Sequence, residues 1–298
     1  MIHNHTKMKT FQGGVQMVHL RSRMDYATGL FQTAEYEEAK IIFNRLLKGY
    51  VKQAQTENMC FCLSRLACIA YIQGNMTMFH NLFKDYKTLI LKTENENLLA
   101  EYELLNGLRE LSVQRYEQAI QAFLNVIPLA DELNLVKLKV AALLSIQNCY
   151  LLLDNVNRSL EMSDELWLTY HETITADAGQ LLHYMLTRAH TLYALERLEE
   201  MNLLITKCEA HPDLHMMPKQ YTQTLLARAK YYMAKAAPHT AMATLEQAIE
   251  LAETQEDINV LSDVYNTSIT NCEIRGKIKQ ALLYAKKQLE LQKELVKK

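Results

Sequence analysis

A chain of 298 residues, 49% hydrophobic and 22% charged, has apolar material for a large core and enough charge to keep its surface wetted. Eight Gly and four Pro are about 4% of the chain against an average near 12%. That excludes folds rich in tight strand turns or phosphate-cradling loops, and a net charge of −2 offers no cationic excess for direct nucleic-acid binding.

Good helix formers fill the space that turn residues leave, so the expected fold is all-α. Met1 to Met24 carries scattered His, Lys and Arg without the apolar run of a secretory signal; residues 1–19 are read as a segment before the first repeat. No run approaches the roughly 18 apolar residues of a membrane span. Cys60, Cys62, Cys68, Cys149, Cys208 and Cys272 show no framework spacing, as expected of free thiols in a reducing cytoplasm.

A period of forty residues organises the rest. Tyr36-Glu-Glu-Ala39-Lys-Ile-Ile-Phe43 returns as Tyr116-Glu-Gln-Ala119-Ile-Gln-Ala-Phe123, and the same slot holds Phe79, Ser159, Met201, Ala241 and Ala281. These anchors, at 39, 79, 119, 159, 201, 241 and 281, are separated by 40, 40, 40, 42, 40 and 40 residues. Just before each lies a break: Thr33-Ala34-Glu35, Gly74-Asn75, Gln114-Arg115, Asp154-Asn155, Glu196-Arg197, Ala237-Pro238 and Gly276-Lys277. Twelve positions before the anchors stand Ala27, Ala67, Gly107, Ala189 and Ala229, with Gln147 and Ile269 as exceptions. A small residue there lets two helices approach closely. Each repeat then holds two helices of roughly 16–18 residues, about 25 Å long. One hairpin cannot bury its apolar face alone, so seven must stack, with no domain boundary within 20–298.

The pattern around Gly107, Tyr116, Ala119 and Phe123 resembles the tetratricopeptide repeat. The resemblance covers about residues 20–298 and implies a right-handed α-solenoid whose first helices line a concave groove. The longer spacing looks like that of the peptide-pheromone receptors of the Rap, PlcR and NprR group, and like sensory repeats attached to bacterial signalling enzymes.

No constellation for catalysis, metal or cofactor binding emerges. His183 and His190 share a helix face, with Thr187 between them, but further ligands at metal spacing are missing. His211 and His215 bracket a loop expected to be exposed. Cys60 and Cys62 point about 200° apart on a helix of 3.6 residues per turn. Gly13-Gly14 lacks the flanks of a phosphate loop. Glu101 with Glu103, and Glu199 with Glu200, read as solvated faces. Trp167 and Tyr170 read as packing between repeats.

Counting back from the anchors gives the expected groove. Eleven positions before lie Thr28, Cys68, Leu108, Asn148, His190, Lys230 and Thr270; fifteen before lie Met24, Ser64, Leu104, Leu144, Leu186, Leu226 and Asn266. One turn earlier come Arg21, Glu101, His183, Gln223 and Asp263. Asn148 and Asn266 suit a peptide backbone, since an amide donates and accepts at once. Arg65 and Lys230 suit a carboxylate such as a free C-terminus. The candidate ligand site is therefore Arg65, Asn148, His183, Thr187, His190, Gln223, Lys230, Asn266 and Thr270.

Gly276 to Lys298 reads as one helix with Ile278, Leu282, Ala285, Leu289, Gln292 and Val296 at heptad-like spacing, and seven Lys against two Glu. It is read either as a capping helix or as the start of a linker to a catalytic domain, and its heptad face is the expected surface of a homodimer. The twenty residues before the first hairpin are too few for the output modules of the pheromone receptors. The expected function is a cytoplasmic, non-catalytic regulatory scaffold holding a peptide or protein segment. The alternatives are the sensory region of a larger enzyme, such as a diguanylate cyclase or histidine kinase, and a passive assembly platform.

Overall fold

The computed structural model describes residues 20–255 and 257–295. Segment 1–19, with Gly13-Gly14, and Val296 lie outside the described residues. Fourteen α-helices pair into seven hairpins among the described residues. The first two pairs are α1 (residues 20–32) with α2 (Tyr36–Lys52) and α3 (Thr56–Ile72) with α4 (Met76–Ile90). Next come α5 (Glu96–Ser112) with α6 (Tyr116–Glu132), and α7 (Val136–Leu152) with α8 (Val156–Thr175). The last three pairs are α9 (Ala178–Ala194) with α10 (Leu198–Glu209), α11 (Pro218–Ala234) with α12 (Pro238–Thr254), and α13 (Ile258–Ile274) with α14 (Ile278–Leu295).

Each hairpin turns through one left-handed residue five positions before its anchor. Ala34, Gly74, Gln114, Asp154, Glu196, Ala236 and Gly276 have φ between 55° and 74°. The next residue's N–H bonds to the carbonyl five residues back, from Glu35 to Leu30 through Lys277 to Cys272, at 2.8–3.0 Å. This bond satisfies a carbonyl that the end of the helix would otherwise orphan. The expected breaks fall on these turns, except that the sixth left-handed residue is Ala236 and not Ala237. All anchors are buried: six at 0% exposure and Ala281 at 5%. Opposite them the small residues let the helices close, and Gly107 is the extreme case. A Cβ there would run into the ring of Phe123, itself fully buried.

Successive first helices, α3 to α5 and onward to α13, pack against one another, while no pair of successive second helices packs comparably. The first helices therefore form the tighter, inner wall. The stack curves far enough to bring hairpins two and three against hairpins six and seven, which replaces the expected open groove with a channel bridged on one side. The left-handed turn at Gly74 abuts Gln255, whose Cβ lies 3.1 Å from where a Cβ of Gly74 would stand. Lys219 Nζ sits 3.9 Å from the centre of the Tyr71 ring. Gln114 Nε2 donates to Asn259 Oδ1 (2.8 Å), and Asn259 Nδ2 donates to the carbonyl of Ser112 (2.9 Å), in the last turn of α5. We call this set of contacts the seam.

Replacing Gly107 with Ala is predicted to destabilise the protein by about 1–3 kcal/mol, because a core ring must move. Gly29 is exposed on α1 with nothing near its missing Cβ, and there Ala should stabilise by about 0.5–1 kcal/mol. Urea denaturation of the two variants checks the contrast.

Candidate ligand channel

The inner wall gathers ionisable groups from distant repeats. On α9, His183 and His190 are half-buried. His183 donates to the carbonyl of Leu144 on α7 and lies near the Lys219 ammonium; burial lowers its pKa to about 4. Its Nε2 is buried without a protein partner. Burial, aided by Lys230, lowers His190 to about 3. Both imidazoles are therefore neutral at pH 7, and His183, whose one proton goes to Leu144, presents Nε2 as an acceptor.

Two lysines on α11 contrast. Lys219 is half-buried, which opposes its charge, but Asp257 Oδ2 at 2.8 Å and the Tyr71 ring hold the ammonium and leave its pKa above the ordinary range. Asp257 also caps α13, accepting from the N–H groups of Asn259 and Val260. One carboxylate thus starts a helix and holds the cation beside the seam. Lys230 has no carboxylate within ion-pair distance among the described residues. Burial pulls its pKa down, Asp263 only partly opposing, and its ammonium stands 6.0 Å from the centre of the Tyr193 ring. Asp263 is reachable by water, yet desolvation raises its pKa against the pull of Lys230. A carboxylate both reachable and desolvated belongs in a narrow concavity, not on a convex face.

The other expected residues divide. Asn148 and Gln223 are half-exposed on α7 and α11. Arg65 lies between the rings of Phe61 (4.8 Å) and Phe31 (5.5 Å) and is ion-paired to Glu101, whose other oxygen accepts from Ser64 (2.6 Å). Its charge is already met, so a ligand carboxylate has less to gain there than at Lys230. Glu101 is accordingly not on a solvated face. Thr187 is 4% exposed, and its carbonyl accepts from Thr191; it is part of the core, lying about 40° and 60° round the helix from His183 and His190. Asn266 accepts from Gln288 of α14, and Thr270 bonds back to the Asn266 carbonyl; both are exposed in the last hairpin. His215 is exposed as expected, but His211 is half-buried.

Lys219, Asp257, Tyr71 and Tyr193 were missed as channel residues. The Pro218-Lys219 pair at a helix start was visible, but nothing local linked Lys219 to Tyr71.

Both histidines have folded pKa values below the unfolded 6.5, so the unfolded state binds more protons below that pH. Stability from them is present above about pH 6.5 and lost as pH falls toward 4. Urea midpoints should drop across that window, and His190→Gln should flatten the drop. An unchanged slope in the variant would contradict the assignment.

No protein family and no curated protein sequence matches the chain. Solved structures do. A Rap protein complexed with competence and sporulation factor superposes with a TM-score of 0.67 at 11% identity, over 93% of this chain and 77% of that one. NprR in complex with its cognate peptide NprX gives 0.62 at 13% identity, over 93% and 79%. The apo form of RapI gives 0.51 at 14%, over 91% and 76%. These three structural neighbours of the α-solenoid are peptide-pheromone receptors built from tetratricopeptide-like repeats.

Proposed function

We propose that the protein is a non-catalytic regulatory scaffold that binds a short extended peptide along the inner channel, with the peptide's carboxylate at Lys230. The observation that carries this reading is the state of Lys230: a desolvated ammonium beside an aromatic ring, with no ion-pair partner among the described residues. A buried cation without a partner is costly, and an arriving carboxylate relieves that cost. Asp263 then meets donors of the ligand. The side-chain amides of Asn148 and Gln223 meet its backbone N–H and C=O groups, which must be satisfied on leaving water. The neutral imidazoles of His183 and His190 add further partners. That NprR, of similar fold, was solved with a peptide supports the same use of the channel.

Calorimetry with pools of synthetic peptides of about five to ten residues tests the reading. Binders should lose about tenfold or more in affinity on Lys230→Ala, as expected for removing a charge-assisted bond. C-terminal amidation of the peptide should weaken binding similarly, and to no further extent in the Lys230→Ala protein. Peptides that bind equally well to Lys230→Ala and Asn148→Ala proteins would sink the assignment.

A further inference from the structure

The repeat is least regular at its fourth and fifth hairpins, and there the outer surface opens. With anchors Ser159 and Met201 aligned, the last residue of α10, Glu209, lies level with Trp167 of α8. Beyond that level α8 continues to Thr175, kinked at Tyr170 (φ −128°, ψ 17°), while the chain after α10 passes through a short 3-10 turn, Leu214–Met216, to Pro218. The mismatch leaves a cleft of about 740 Å³, within the size range of ligand sites.

Its floor is the outward side of α9: Leu181, Tyr184 and Met185. Trp167, stacked on Tyr184 (5.1 Å between centroids, 19° between planes), stands as one wall, and Leu204 as the other. The apolar surface spills over the rim, where Leu168 is 84% exposed and Leu203, one turn from Lys207, is 58% exposed. The polar rim is unbalanced. Asp164 is already bonded to Arg188 (2.6 Å), and Arg188 is further tied to Ser163 (2.9 Å). Lys207 is exposed and has no ion pair among the described residues. His211 accepts from the N–H of Asp213 at Nδ1 (3.3 Å), which leaves its proton on Nε2 as a donor.

We infer that this cleft is a second binding site, for an amphipathic helical segment of a partner protein that presents bulky apolar side chains flanked by a carboxylate. Apolar surface extending past the rim fits a protein segment better than an enclosed small molecule, helix-in-groove docking uses this kind of trough, and the uncompensated Lys207 sets the sign of the partner's charge. The site is distinct from the channel. His183 and His190 face α7 and α11, whereas Tyr184 and Arg188 face α8. The two ligand surfaces are separated by the thickness of one helix, α9.

Trp167 is the sole tryptophan, so its fluorescence reports the cleft. The probes are designed helical peptides of about 14 residues, with a Leu/Phe face flanked by Glu, and matched versions carrying Lys. The Glu peptides should shift Trp167 emission saturably and the Lys peptides should not. Lys207→Glu and Leu168→Asp should each weaken the Glu peptides about tenfold with circular dichroism unchanged, while Lys230→Ala should leave them unaffected. Equal response to both peptide sets, or binding that survives both cleft variants, overturns the proposal. So does loss on Lys230→Ala, which would place the peptides in the channel. Self-association abolished by Leu168→Asp would assign the cleft to a second copy of the chain and also overturn it.

Discussion

The architecture depends on a rigid link between a backbone turn and a side-chain contact. In every hairpin a left-handed residue lies five positions before a buried anchor, and a hydrogen bond across the turn holds the distance. A non-glycine residue in that conformation costs roughly 1–2 kcal/mol. Five of these turns accept the cost, because the bond they close and the anchor they set down are worth more. Each hairpin is thereby fixed in itself, and the packing of first helix on first helix stacks the seven into a curve on which hairpins two and three touch hairpins six and seven.

Closure changes the electrostatics of the inner wall. Charges that would be well hydrated on an open groove are partly desolvated, and each must find a partner or shift its pKa. Arg65 finds Glu101, and Lys219 finds Asp257 and Tyr71. The histidines give up their protons. Lys230 and Asp263 feel each other without reaching ion-pair distance, and the proposed carboxylate site rests on that unmet charge at Lys230. Removing one member of a buried pair is expensive, so the satisfied pairs serve the scaffold, whereas Lys230 has no such role among the described residues.

Most of the architecture was legible because it is written locally. The forty-residue spacing, the breaks before the anchors and the small residue at Gly107 each reflect contacts within one hairpin. Four things were not legible. The seam joins positions 145 to 181 residues apart, and no periodicity relates Gln114 to Asn259. Arg65 suits a ligand carboxylate in the sequence, where its partner Glu101, in the next hairpin, is not visible. Spacing alone puts Thr187 between His183 and His190, whereas burial puts it in the core. The 42-residue interval was visible as a number, but the cleft behind it needed the unequal lengths of α8 and α10. Gln147, in a slot that elsewhere holds a small residue, is fully buried with neither amide atom bonded to protein, and no feature of the packing accounts for it.

Closure of the stack is the claim on which the channel rests, and a short thiol-reactive cross-linker tests it directly. In a Cys68→Ser background, where the five remaining native thiols are buried, cysteines are placed at Gln114 and Asn259. Rapid linkage within single chains, with helicity retained, is the predicted result. No linkage, or linkage only between chains, would show hairpins three and seven standing apart and would contradict the account.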